Sequence, residues 1–288
     1  MPTDAKMKAP RPRTWLITGA SSGFGLAIAE AALALGDRVV GTVRTEAARS
    51  AFDAIAPGRS VAMLMDVTDE AAVRATVVAA EKWTGGIDVL VNNAGYGLVG
   101  GVEEASLAEI RAQFEVNVFG AVAVLQAVLP FMRARRAGRI LNITSVSGLV
   151  GWPSLGLYSG SKFALEGICE TLAMEVEPLG IKVSMIEPGG FRTEFAKGSR
   201  VYAARLIDDY DGTVGNSKRI MAEHSGHEHG DPAKAAQAIL KVAGEAKPPV
   251  RLLLGKDALG YTAFKLSAQQ AEIDAWRAVS EDVEFAAS

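Results

Sequence analysis

Along the chain, short runs of consecutive apolar residues alternate with longer segments in which apolar residues return every three or four positions. The short runs fall at 14–18, 38–43, 61–65, 87–92, 138–144, 181–187 and 250–254. Most are apolar at successive positions, which predicts strands buried on both faces. The longer segments, 23–35, 46–54, 69–83, 106–134, 158–178, 232–245 and 260–278, carry the helical period. Regular strand–helix alternation predicts an α/β fold, a doubly wound domain whose seven-stranded, mostly parallel sheet is covered by helices on both faces.

Two stretches depart from the pattern. Residues 1–12 are polar, basic and proline-bearing and lack the apolar core of a signal peptide, so they read as a disordered N-terminal arm. Residues 194–230 are charged, contain glycine and follow no clean period. An insertion of that length after the sixth strand, on the side where open α/β sheets bind ligands, reads as a substrate lid, with a plain surface loop as the alternative. With no low-complexity linker and no repeat, residues 13–288 read as a single catalytic domain.

Composition narrows the partners. Of 288 residues, 49% are apolar and 22% charged, the balance of a soluble globular chain. A net charge of −3 gives no reason to expect nucleic acid or an anionic membrane. The apolar run 118–132 is interrupted by Gln126 and falls short of the ~20 residues that span a bilayer, so it reads as a buried helix. A lone cysteine, Cys169, permits no internal disulfide and reads as a buried thiol, in keeping with the cytoplasm.

The first predicted turn carries chemistry. Thr14 to Thr18 run into Gly19-Ala20-Ser21-Ser22-Gly23-Phe24-Gly25. Gly19 permits a tight turn out of the strand, and Gly23 and Gly25 let backbone approach a pyrophosphate at the start of a helix. This is the use of glycine in a Rossmann-type dinucleotide site, at a different spacing. About 20 residues on, an NAD site places an acid for the ribose 2′-hydroxyl. Val43 stands there instead, followed by Arg44, which suits a 2′-phosphate, as do Ser21 and Ser22. The reading is NADP(H), with NAD(H) as the alternative. Asp37 precedes the second strand and is placed out of reach of the ribose.

Downstream come Asn92-Asn93-Ala94-Gly95, Asn117, Ser145 and the pair Tyr158 and Lys162, four residues apart. Five motifs in this order resemble the short-chain dehydrogenase/reductase superfamily over residues ~13–280, most closely its 17β-hydroxysteroid dehydrogenase-like and retinol dehydrogenase-like branch. Tyr158 is the expected acid/base. A free phenol with a pKa near ~10 is a poor acid–base group at neutral pH, and Lys162, one turn away on the same helix face, offers a charge that lowers it. The Ser145 hydroxyl is placed to hold the substrate oxygen, while Thr144 points to the other face of its strand.

The resemblance implies further roles. Lys162 also binds the nicotinamide ribose, and Asn117 holds a water that links the lysine to solvent. Asp66 and Val67 contact the adenine ring. Asn93, Ala94 and Gly95 line the adenosine side, although a buried amide at Asn93 is also a structural tie. Pro188, Gly189 and Thr193 hold the nicotinamide carboxamide. Tyr96, Leu149, Trp152 and Phe191 are candidate walls of a largely apolar pocket, or core. These positions describe an NADP(H)-dependent oxidoreductase interconverting a hydrophobic ketone or aldehyde with its alcohol. The alternatives are an NAD-dependent alcohol dehydrogenase and a dinucleotide-sensing protein without turnover. His224, His227 and His229 cluster in the expected lid, but no second ligand set accompanies them, and no metal is expected. Helices 106–134 and 158–178 carry more apolar surface than one sheet face covers, and the resemblance implies a homodimer or homotetramer.

Overall fold

The computed structural model describes residues 11–193 and 198–285. Most of the expected arm, and residues 194–197 of the expected lid, lie outside them. The elements in chain order are β1 (Thr14–Ile17), α1 (Gly23–Ala34), β2 (Arg38–Val43), α2 (Glu46–Asp53), β3 (Ser60–Leu64), α3 (Glu70–Thr84) and β4 (Val89–Asn92). Then follow β5 (Gly97–Val99), α4 (Leu107–Phe114), α5 (Ala121–Arg135), β6 (Gly138–Ile143), α6 (Gly156–Val176), β7 (Ile181–Pro188) and β8 (Arg200–Tyr202). The chain closes with α7 (Asn216–His224), α8 (Pro232–Gly244), β9 (Arg251–Leu254), α9 (Lys256–Ala275) and α10 (Arg277–Glu281).

Seven strands form one sheet in the order β3-β2-β1-β4-β6-β7-β9, and every pairing is parallel. The order reverses between β1 and β4, so the C-terminal ends of those strands open a crevice. Side chains alternate across the sheet. Trp15 and Ile17 pack with Ile28, Ile239 and Leu240 from α1 and α8, whereas Leu16 packs with Val77, Val128 and Leu165 from α3, α5 and α6. Both faces are thus dry, which is why the strands are apolar at successive positions.

Local signals set the helix ends. Asp69 caps α3 by accepting from the amides of Ala71 and Ala72, and Gly85 closes that helix at φ 76°. Ser106 and Glu109 make a reciprocal capping box at the start of α4.

The sequence pattern needs three corrections. The segment expected as one helix over 106–134 is α4, a π-helical turn over Glu115–Gly120 and α5. Together these run from Leu107 to Arg135, long and apolar enough by length to cross a bilayer, contrary to the estimate from 118–132 alone. One side, including Val124, Leu125, Val128 and Met132, is nevertheless built into the core. Finally, the described part of the expected lid contains regular elements that the sequence pattern did not show. It holds β8, which pairs in parallel with β5, and helix α7. Three-residue strands and a nine-residue helix are too short to show a period.

Candidate active site

The glycine turn leaves β1 with Gly19 in the left-handed region, φ 65°. A Cβ there would stand 3.0 Å from Ala94 Cα, so the turn lies against the backbone that follows β4. Gly25 is held more tightly still: a Cβ would sit 2.6 Å from Asn93 Nδ2 and collide with the Gly19 carbonyl. Asn93 itself donates to the carbonyls of Thr18 and Gly19 at 2.9 and 3.0 Å, and its amide donates to Thr18 Oγ1. It is a tie between β1 and β4, as the alternative reading of this amide had it. The N-terminus of α1 has no side-chain cap at Ser22 and no acid in its first turn, so its N–H groups suit an anion. Thr193 closes over the turn, its Cβ 3.7 Å from where a Gly23 Cβ would be.

At the end of β2, Val43 is buried in the core and Arg44 is exposed. Asp66, past the end of β3, is held below the usual carboxylate range by the amide and hydroxyl of Thr68 at 2.9 and 2.8 Å, with burial opposing and Arg44 adding a smaller downward pull. Asp37 lies at the opposite end of the strands, before β2, where it accepts from Trp15 Nε1 at 2.8 Å. A dinucleotide would therefore find a glycine cradle, a free helix end and a cation, with no acid at the ribose position. The residues present fit the cofactor.

Beyond β6, Ser145 and α6 converge. The Ser145 hydroxyl bonds the Tyr158 hydroxyl and accepts from Ser147 N at 3.0 Å. Lys162 Nζ lies 5.8 Å from the Tyr158 ring centroid and donates to the Ile143 carbonyl at 2.8 Å. Asn117, in the π-helical turn, accepts from Tyr96 N at 3.0 Å and donates to Tyr96 O and Ser161 Oγ at 2.9 and 3.1 Å. π-helical turns concentrate at functional sites because the extra residue re-aims a side chain. Here the turn carries Asn117 toward the loop beside Lys162. Its amide spans Tyr96 and Ser161, which gives it a bracing role from its own bonds.

Burial governs the electrostatics. The Tyr158 phenol is pushed up to about 12 by desolvation, with Ser145 and Arg200 opposing. The expected lowering by Lys162 does not prevail here: burial outweighs the Ser145 hydrogen bond and the charge of Arg200, which are what oppose it. Burial also lowers Lys162 to about 8, against the pull of Glu166 and Cys169. At neutral pH the site holds a protonated phenol beside a charged lysine.

The wall residues divide. Tyr96, Leu149 and Trp152 are half-buried near this cluster, and Trp152 packs edge-on against Tyr261 of α9 at 4.5 Å. Phe191 does not join them. Its ring packs edge-on against Phe24 at 5.2 Å and its backbone makes an isolated bridge with Gly230, so it belongs to the packing over α1. The segment after β7 lies against the loops on either side of Tyr158. Gly97 pairs with Arg200, Lys218 bonds the buried Glu104 at 2.7 Å, and Ser217 bonds Ser154 Oγ and the Pro153 carbonyl at 3.0 and 2.8 Å. Ser154 is itself in the left-handed region, φ 66°, four residues before Tyr158. His224 turns its Nδ1 to the Ile220 carbonyl at 2.8 Å, and no group of three metal-ligating side chains gathers among the described residues.

Sequence reading missed Arg200, Glu104 and two buried acids, Glu166 and Glu187. Only the last pair left a signal: a carboxylate within the apolar run 181–187, and another one helical turn past Lys162.

The chain matches the family model for short chain dehydrogenases over residues 13–202. It is 39% identical to an oxidoreductase, BOA17, of Botryotinia fuckeliana, over 93% of this chain and 98% of the relative. It is 38% identical to a 3-ketodihydrosphingosine reductase of Bacteroides thetaiotaomicron (85% and 88% covered) and 38% identical to retinol dehydrogenase 8 of Bos taurus (84% and 81%). A solved short-chain dehydrogenase from Streptomyces avermitilis superposes with a TM-score of 0.90 at 41% identity, covering 96% of this chain and all of that one. Two more distant structures, both 26% identical, carry cofactors. One, from Burkholderia phymatum, holds NAD (TM-score 0.81, 92% and 97% covered), and ElxO holds NADP (TM-score 0.72, 87% and 100%).

Proposed function

Since this chain belongs to the short-chain dehydrogenase/reductase family, on its retinol dehydrogenase-like side, we propose that it is an NADP(H)-dependent reductase of hydrophobic ketones or aldehydes. The observation that carries the reading is the convergence of Ser145, Tyr158 and Lys162 at the C-terminal end of the sheet, beside the glycine turn.

The cofactor, when bound, supplies the hydride. This chain's residues do the rest. The α1 N-terminus and the glycine turn take the pyrophosphate, Arg44 takes the 2′-phosphate, and Asp66 with Val67 meets the adenine. Asn93, Ala94 and Gly95 line the adenosine, Pro188, Gly189 and Thr193 face the carboxamide, and Lys162 reaches the nicotinamide ribose. Ser145 donates to the substrate oxygen, where charge develops. Tyr158 passes its proton to that oxygen, and Lys162 holds positive charge nearby as the phenolate forms.

Tyr96, Leu149 and Trp152 supply apolar wall, and Arg200 adds one cation at its edge. Relatives named for a 3-keto sphingoid reduction and for retinol support a long apolar substrate. The segment 194–230 acts as the lid, and residues 13–288 as one catalytic domain. Exposed Phe119, Phe163, Ile168 and Met174 on the helical segments 107–135 and 156–176 support a homodimer or homotetramer through those helices. The enzyme works in the cytoplasm, binding neither membrane nor nucleic acid.

The test follows NADPH and NADH consumption against a panel of apolar ketones and aldehydes, with Tyr158→Phe in parallel. Turnover with NADPH that collapses in the variant is the expected result. Preference for NADH would overturn the cofactor assignment. Equal activity in the variant would overturn the role of Tyr158, and cofactor binding without any turnover would favour a dinucleotide sensor.

A further inference from the structure

Behind Lys162 lies a group of charges that the reaction above does not use. Glu166 follows Lys162 by one turn of α6, and Glu187 is the penultimate residue of β7. They are 4% and 0% exposed. Both reach one nitrogen of Arg251 at the start of β9: Nε lies 3.3 Å from Glu166 Oε2 and 3.5 Å from Glu187 Oε1. The remaining Arg251 nitrogens are taken by the exposed Glu170, at 3.0 and 3.3 Å. Glu166 also bonds Thr144, while Lys162 bonds the carbonyl of the preceding residue, Ile143, so acid and lysine grip adjacent residues at the end of β6. Glu166 packs so closely under Gly148 that a Cβ there would stand 3.0 Å from its Cγ.

We propose that Glu166 is the counter-charge of the catalytic lysine, a positioning residue that keeps Lys162 protonated inside a dry site, and that Glu187 holds a proton so that the pair presents a single negative charge. The inference rests on the reductase reading for its functional meaning.

Charge accounting supports it. Around Lys162 the ionisable groups are Tyr158, Glu166, Cys169 and Glu170 on α6, Glu187 on β7 and Arg251 on β9, with Arg200 on β8 facing Tyr158. Two cations, Lys162 and Arg251, meet three carboxyls. Two like charges cannot both persist in a buried site beside a single guanidinium nitrogen. Glu187 is the one that gives way: burial first, and then Glu166, push it up to about 8. Glu166 is raised by burial but held back by Thr144 and Arg251. Arg251 Nε donates to it at 3.3 Å and only approaches Glu187, at 3.5 Å, so the geometry assigns the charge to Glu166. Its charge in turn opposes the desolvation of Lys162. A helix places residues four apart on one face, so the Glu166 charge acts on Lys162 at short range while the lysine's hydrogen bond goes to Ile143.

The experiment titrates Lys162 itself, so its outcome does not depend on finding a substrate. Full-length protein is labelled with ¹³C-lysine and the Cε shifts are followed with pH, Lys162 being assigned by its loss in Lys162→Met. A midpoint near 8 is expected in the unsubstituted protein. Glu166→Gln should lower it by about one pH unit, since a nearby opposite charge is worth that much or more. Glu187→Gln should leave it within a few tenths, because the charge stays on Glu166. An unchanged midpoint in Glu166→Gln, or equal falls in both variants, overturns the proposal. If Glu166→Gln does not fold, Glu166→Asp withdraws the charge by one methylene and should lower the midpoint by less; no change there overturns it equally. Failure of the reductase reading would appear instead as absent turnover with the lysine titration intact.

Discussion

Removing the cation at the end of β2 separates the two nicotinamide cofactors by affinity alone. Arg44 is exposed, follows the buried Val43 and acts on Asp66 across the ends of β2 and β3. A hydrogen bond to a charged group is worth about 1.5–3 kcal/mol when well formed. Solvent exposure and the competing carboxylate of Asp66 put this one at the lower end, about 1–2 kcal/mol. That corresponds to roughly a 5–30-fold weaker NADPH affinity in Arg44→Ala. NADH lacks the 2′-phosphate, so its Kd should stay within about twofold. Fluorescence titration of both cofactors against wild type and variant measures the two ratios. The NADPH advantage should also shrink as salt is raised, because exposed charges are screened within about 10 Å at 0.1 M. Equal losses for both cofactors would mean that Arg44 only supports the loop, and no loss for either would sink the assignment of a 2′-phosphate site.

Other expected outcomes follow from the same geometry. Tyr158→Phe should cut turnover by roughly 10²–10⁴-fold, the usual worth of a positioned acid, and leave NADPH Kd within about twofold in the same titration. Gly25→Ala should lower the melting temperature and cofactor affinity together, because the added methyl meets Asn93 and the Gly19 carbonyl. Glu104 lies below its usual range because bonds from Lys218, Gly101 N and Ile207 N outweigh its burial. Lys218→Met should therefore free α7, at a cost of about 1–2 kcal/mol for a pair that still touches solvent, and limited proteolysis should cut faster within 198–230. The folded-state value of Glu187, about 8, lies above the ordinary 4.5, so its contribution to stability is full below 4.5 and lost as pH rises through 8. Glu187→Gln should flatten that decline in denaturant titrations between pH 5 and 8; an unchanged slope would refute the linkage.

What the chain disclosed in advance was whatever rests on local pattern. Strands dry on both faces advertise themselves by unbroken apolar runs, and the glycine turn by the conformations only glycine tolerates. Tyr158 and Lys162 were legible because one helix turn joins them. Contacts made between distant segments were not. Lys218 meets Glu104 across 114 residues, and Arg251 meets Glu166 across 85, and neither spacing leaves a trace in one sequence. The direction of the Tyr158 shift was missed for the same reason: neighbours in sequence name the charges, but only packing decides how much water is removed. Position after β7 left Phe191 open between pocket wall and core, and the turn of the chain there sends its ring to Phe24.

Among its described residues, the segment between β7 and α8 is closed at its root by the bridge of Phe191 with Gly230 and held to the body by the three-residue pairing of β8 with β5. Backbone pairing asks little of side-chain identity. Apart from positions such as Lys218 and Ser217, whose side chains also hold it, the chain between those points can change while its ends stay registered. On the lid reading proposed above, grafting residues 201–230 between relatives would re-tailor what the site accepts and leave Ser145, Tyr158, Lys162 and Arg200 in place. The fold separates an inherited engine from an interchangeable fitting, and the join lies at Gly97 and Gly230.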